Sequence, residues 1–213
     1  MNDFLEKFGA YTLDKQHNLY NVIGENSWNV DLNKQEIYFG DTLTFPIQVL
    51  GSFSHSSETW LWIWENKSGY SESLMEQALA LKKYGEENNI DLLKTGQFDA
   101  YQSDLHLFGM LASEVFNSSA YYLANYGQGT MVLTIKSDLI DNQESYDNIR
   151  VSTVFPEFIS LFEINNHKNA LVNYLLLKGY KLFENKNELI AEKNEKKITA
   201  TFNENNLLTG LKG

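Results

Sequence analysis

The sequence predicts an α+β fold, with antiparallel sheets and flanking amphipathic helices in a single domain. Three observations carry that expectation. Apolar residues alternate at period two in two separate blocks, residues 28–65 and 180–211. They recur at helical spacing in residues 2–23, 71–85, 103–117 and 156–179. Strands follow strands and helices follow helices, so the repeated βαβ alternation of a parallel sheet is missing. A chain of 213 residues, 43% of them hydrophobic, is long enough to bury a sizeable core. Its length fits one domain over residues 1–213, with sub-lobes 1–137 and 149–213 as an allowed division.

Phe4, Phe8, Tyr11, Leu19, Val22 and Ile23 fall at roughly helical spacing with polar residues between them, so a first helix runs over 2–23 and stops at Gly24. A four-strand meander follows. Its strands are marked by Trp28, Val30 and Leu32, by Ile37 and Phe39, by the odd-numbered series Leu43, Phe45, Ile47, Val49, Gly51, Phe53, and by Thr59 to Glu65. Ser73-x-x-Glu76 has the capping-box form and starts a second helix, carrying Leu74, Ala78 and Leu81 to about Gly85. The polar connector TGQFDAYQ leads to Ser103, a cap for a third helix with Leu107, Leu111 and Val115 on its apolar side. Residues 119–136, SAYYLANYGQGTMVLTIK, read as two strands joined through Gly127 and Gly129, and the mixed-charge stretch 137–148 as a mobile loop. Pro156 suits the first turn of a helix through Phe162, and Asn165-Asn166 separates it from a helix holding Leu171, Tyr174 and Leu175 that Gly179 stops. Tyr180 to Phe183, Leu189 to Ala191, Ile198 to Phe202 and Leu207 to Leu211 return to strands between Asn-rich turns.

The stretch GSFSHSSETWLWIWENKS, residues 51–68, sets Trp60, Trp62 and Trp64 at alternate positions after a turn. A two- or four-residue turn puts Gly51 opposite Trp62, with Val49 and Phe53 opposite Trp64 and Trp60, so the indoles share a face with the whole odd series. The other face pairs Leu50 with Ile63 and Ser52 with Leu61. Both faces are apolar, which favours indoles packed on helices over an open aromatic surface. Gln48 falls opposite Glu65, and a polar pair in a covered sheet needs partners; a pocket mouth at that strand end, near Asn66 and Tyr70, supplies them. The candidate ligand-binding residues are Gln48, Trp60, Trp62, Trp64, Glu65, Asn66 and Tyr70.

The run Gln48-x-x-Gly51-Ser52, followed by Thr59-Trp60-Leu61-Trp62-x-Trp64-x-Asn66, resembles the core signature of an uncharacterised bacterial family known only as a domain of unknown function. Its members carry a similar T-W-L-W-x-W-x-N run. The resemblance spans residues 43–70 and extends loosely to the helix near 103–117 and the strands after it. It implies a bacterial cytoplasmic protein and supplies no activity.

With 28 acidic against 17 basic residues the net charge is −11. Such a surface repels phosphate backbones and anionic headgroups, so neither nucleic acid nor a membrane is an expected partner. A basic protein or cationic ligand suits the same charge, although acidic surfaces commonly serve solubility alone. There is no cysteine, which excludes disulfides, thiol nucleophiles and Cys-ligated metal and agrees with a cytoplasmic setting. The first residues, Met1-Asn-Asp-Phe-Leu-Glu-Lys, lack the apolar core of a signal peptide.

Chemistry is sparse. Asp99, Asp104 and His106 are the candidate catalytic residues, His106 lying near the start of the third helix. Asp and His two apart on a helix do not face each other, and a helix N-terminus disfavours imidazolium, so a lone structural or surface histidine is the simpler reading. No H-x-x-x-H or H-x-H pair exists, and Gly127-Gln128-Gly129 lacks the remainder of a nucleotide loop. No metal and no cofactor is expected. The residues point first to a non-enzymatic binding domain that holds a small ligand or peptide in an apolar pocket beside the Trp60–Asn66 strand. Rival readings are a protein-interaction module, of inhibitor or toxin-neutralising type, that uses the acidic surface, and an enzyme built on Asp99, Asp104 and His106.

Overall fold

The computed structural model describes residues 2–143, 147–185 and 187–213. Its contacts divide the chain into two units, Asn18–Asn142 on one hand and Met1–His17 with Gln143–Gly213 on the other. Both are built from helices and antiparallel sheet, so the α+β class stands.

The chain starts as expected with helix over residues 2–23: α1 (Asn2–Phe4), a π-helical stretch Leu5–Gly9, and α2 (Ala10–Ile23). Gly9 lets a neighbour in close. A Cβ there would stand 2.4 Å from Cε2 of the Phe158 ring.

The Asn18–Asn142 unit centres on a seven-stranded sheet. Its meander is β1 (Trp28–Asp31), β2 (Glu36–Phe39), β3 (Leu43–Ser54) and β4 (Thr59–Trp62), extended by β5 (Gln97–Asp99). A hairpin of β6 (Ala120–Asn125) and β7 (Gly129–Ile135) joins along β3. The helices are α3 (Glu76–Glu87), α4 (Asp91–Lys94), α5 (Asp104–Val115) and α6 (Asp138–Asp141). Phe39, Leu50, Trp60, Leu74, Ala78, Leu105, Val132 and Leu133 are among the fully buried residues of one continuous core.

Local expectations fail where a tertiary partner overrides them. Ser73 does not cap α3: the N-cap is Met75, without a side-chain cap, and the Ser73 hydroxyl instead takes a hydrogen bond from Gln35 Nε2 at 2.6 Å. The connector TGQFDAYQ is not all loop, because Gln97–Asp99 pairs with β4. Ser103 precedes α5 but makes no side-chain cap bond; Asp104 Oδ2 accepts the Tyr101 N–H at 2.8 Å. The buried side of α5 is Leu105, Phe108 and Ala112, and Val115 is 56% exposed. Apolar residues surround this helix, so spacing alone permits more than one buried stripe. In the stretch read as a mobile loop, Ser137 caps the helical turn α6 by accepting Leu139 N–H at 3.2 Å, and residues 144–146 lie outside the described residues.

The other unit packs α7 (Asp147–Leu161) and α8 (His167–Leu177) with the first turns of the chain and a four-stranded sheet. That sheet is an up-and-down meander of β8 (Lys181–Asn185), β9 (Glu188–Lys193), β10 (Lys196–Phe202) and β11 (Leu208–Lys212). Pro156 lies inside α7 rather than in its first turn. Burial of Val151, Val154, Phe155 and Phe158 at helical spacing outweighs the one backbone hydrogen bond that an interior proline removes. Gly179 stops α8 at φ +79°, as expected. Asp14, only 5% exposed, receives Arg150 Nε at 3.0 Å, the Lys178 ammonium, and the Tyr174 hydroxyl at 3.0 Å. Burial, and then the neighbouring Asp14 carboxylate, push the Tyr174 hydroxyl well above the usual tyrosine range, so it stays a donor.

Candidate functional site

Gly51 pairs with Trp62, Ser52 with Leu61 and Phe53 with Trp60 across a four-residue turn, the register read from the sequence. Beyond Trp62 that register ends. Ile63–Glu65 curls into a 3-10 turn, so Val49 does not face Trp64, Leu50 does not pair with Ile63, and Gln48 does not meet Glu65. Gln48 is satisfied elsewhere: its Nε2 donates to Ser73 O at 2.6 Å and its Oε1 accepts from Gln77 N at 3.3 Å.

A second departure lies within β3. Val49 pairs with Leu133 but Gly51 with Val132, so Leu50 is an extra residue in a β-bulge. Because Leu133 and Val132 point to opposite faces, Val49 and Gly51 do too. The odd-numbered series is therefore split. Gly51 and Phe53 share a face with Trp60 and Trp62, whereas Val49 joins Ser52, Leu61 and Met131 on the reverse face.

The tryptophan face is core wall. Trp60 and Trp62 are 0% and 1% exposed, their rings packed edge to face and both against Phe108 of α5. Trp62 Nε1 donates to Leu92 O at 3.0 Å, while Trp60 Nε1 is buried without a hydrogen-bond partner among the described residues. Trp64 leaves the strand and lies under Lys82, whose ammonium is 4.2 Å from the ring centroid. Glu65 packs over Gly96, where a Cβ would stand 2.7 Å from its Cγ.

The reverse face carries a pocket of about 250 Å³. Its floor is the row Leu61–Ser52–Met131 across three strands, with Val49 and Ile63 beside it, and Leu32, Asn66, Tyr70 and Tyr126 complete the lining with the Gly51 backbone. Gly129 gives the Tyr126 ring its place at the β6–β7 turn: a Cβ there would be 2.4 Å from the Tyr126 hydroxyl. Of the seven candidate binding residues, Asn66 and Tyr70 line this pocket, and Gln48, Trp60, Trp62, Trp64 and Glu65 lie outside the lining. The sequence places a pocket mouth from Gln48 opposite Glu65, a pairing that does not form; the signal that marks the floor is Ser52 opposite Leu61 on an apolar face. Met131 and Tyr126 come from a hairpin about 70 residues downstream and left no local trace.

Asp99, Asp104 and His106 do not converge on the pocket. Asp99 pairs with Thr59 at the sheet edge, and the Asp104 carboxylate is engaged by the Tyr101 N–H. His106 Nδ1 lies 2.8 Å from the Tyr121 hydroxyl oxygen. Tyr121 pairs with Thr134, two places in register from Val132, so it faces away from Met131 and the pocket. Desolvation lowers the His106 pKa and raises that of Tyr121, which keeps both groups neutral. Among the described residues there is no cluster of three or more side chains fit to hold a metal ion, and no helix is long and apolar enough to cross a membrane.

Fold and site together define an antiparallel α+β protein with an uncharged pocket on the back of a tryptophan-bearing strand. The chain belongs to a family of unknown function (DUF6882), whose model matches residues 2–138. That stretch contains the entire seven-stranded sheet and every residue of the pocket. No curated protein and no solved structure matches the chain.

Proposed function

We propose that this protein is a binding domain that holds a small molecule in the pocket formed by Ser52, Leu61 and Met131. The observation that carries this reading is the pocket itself: an apolar floor on three paired strands, left uncovered on a sheet whose other face is closed by helices. The reading assigns no catalytic step: the polar side chains of the lining are Ser52, Asn66, Tyr70 and Tyr126, with no carboxylate, imidazole or amine among them. Native mass spectrometry of the purified protein tests it. The expected result is a bound small molecule in the wild type that is missing from Leu61→Trp, whose indole fills the pocket without disturbing the core face. Equal retention by both proteins refutes the assignment to this pocket.

A second reading, a surface for a basic protein partner, is favoured by where the charge sits. The Asn18–Asn142 unit holds sixteen acidic and six basic side chains, net −10, against twelve and eleven, net −1, in the other. If that unit steers a basic partner, the association rate falls steeply from low to physiological salt, where charges are screened over about 8 Å.

A further inference from the structure

Resting on the pocket reading above, we infer that the ligand is a small, uncharged, largely apolar ring compound carrying one hydrogen-bonding group. None of the ten lining residues is charged, in a unit with sixteen acidic and six basic side chains. A carboxylate or ammonium entering this space gives up hydration and finds no counter-charge, so its desolvation is uncompensated. The net −10 of the unit adds repulsion for an anion. The polar group of the ligand meets Ser52. That hydroxyl stands in the middle of the floor, between Leu61 and Met131, and has no protein partner among the described residues. An alkane leaves it unsatisfied, whereas a hydroxyl or carbonyl on the ligand restores the hydrogen bond. Size narrows the class further. At about 250 Å³ the pocket is smaller than the sites that enclose drug-sized ligands, and it suits one or two fused rings.

Four naphthalenes test this on the full chain by titration calorimetry: 2-naphthol, naphthalene, 2-naphthoate and 2-naphthylmethylammonium. The expected order has 2-naphthol at least about tenfold tighter than either charged probe, because only the charged probes suffer uncompensated desolvation. Ser52→Ala weakens 2-naphthol by roughly 2- to 12-fold, the loss of one neutral hydrogen bond, and leaves naphthalene unchanged. Ser52→Thr keeps the hydroxyl and retains 2-naphthol binding. A charged probe that binds as tightly as 2-naphthol overturns the ligand class while the pocket reading stands. An unchanged 2-naphthol affinity in a folded Ser52→Ala protein overturns the role of the hydroxyl. Failure of all four probes to bind the wild type, or their undiminished binding to Leu61→Trp, removes the pocket reading and this inference with it.

Discussion

Replacing Gly51 with alanine adds one methyl group at the thinnest point of the sheet. In a strand the exchange ordinarily gains about 0.5 to 1 kcal/mol, because alanine loses less backbone freedom on folding. Here the new Cβ would lie 2.4 Å from the carbonyl oxygen of Leu61 and 2.5 and 2.9 Å from Cζ2 and Cε2 of Trp60. The ring in the way is that of Trp60, the diagonal neighbour, rather than the directly paired Trp62. Neither obstacle moves freely. Leu61 belongs to the β3–β4 ladder opposite Ser52, and Trp60 is wedged with ring centroids 4.7 Å from Phe108 and 5.4 Å from Trp62. Relief requires a displacement of roughly 1 Å to reach ordinary van der Waals separation. Overpacking of this kind costs about 1 to 3 kcal/mol, and a loss near 3 kcal/mol lowers the Tm of a chain this size by about 6 to 12 °C. Urea unfolding followed by tryptophan emission, together with calorimetry, reads the change; Ser52→Ala, on the opposite face, should stay within about 0.5 kcal/mol. A Gly51→Ala protein as stable as the wild type refutes both the register and the close approach of Trp60.

Trp62→Phe leaves a smaller ring and abolishes the hydrogen bond to Leu92 O, so a loss of about 2 kcal/mol is expected by denaturant unfolding, and Trp62→Ala should lose about 3 to 5 kcal/mol. Asp14→Asn removes the carboxylate between the Arg150 and Lys178 cations, both largely buried; a loss of about 3 kcal/mol in the melting of that unit is expected, and an unchanged melt contradicts the ion cluster. His167 gives a pH dependence whose sign follows from its surroundings. Desolvation lowers its pKa below the ordinary 6.5, and its Nδ1 accepts the Leu208 N–H at 3.1 Å, a bond that only the unprotonated nitrogen can make. With the folded value depressed, the unfolded chain takes up the proton first, so this contribution is whole above 6.5 and is lost as pH falls through 6.5 to the folded value. His167→Asn keeps an acceptor and does not titrate; its Tm should fall less than that of the wild type between pH 7.5 and 5.5, and parallel curves refute the assignment.

Elements set by local periodicity were legible. The N-terminal helix, the meander around Trp60, the 119–136 hairpin and the C-terminal strands all depend on spacing and turn residues within a few positions. What was hidden depends on partners distant in sequence. Pro156 reads locally as a helix start, yet the buried faces of Val151, Val154 and Phe155 carry α7 through it. Ser73 and Glu76 have the spacing of a cap, yet Gln35, 38 residues earlier, claims the serine. Gln97–Asp99 carries little strand character and is extended because β4 offers it an edge.

The site illustrates the same division in one strand. Alternation along β3 is uninterrupted from Leu43 to Phe53, and from sequence every odd residue belongs to one face. The bulge at Leu50 exists because β7 pairs on both sides of it with a shift of one residue, a fact that resides in residues 129–135. That single extra residue transfers Val49 to the face of Ser52 and Leu61, where it helps line the pocket, and leaves Gly51 under the Trp60 ring. The aromatic run that draws the eye is thus the wall that closes the core. The pocket lies on its reverse, lined by the alternate positions Leu61 and Ile63 between the tryptophans and by Asn66, where the strand has already turned away. On that face Val49 and Leu133 stay buried, and the small Ser52 side chain between Leu61 and Met131 leaves the space of the pocket.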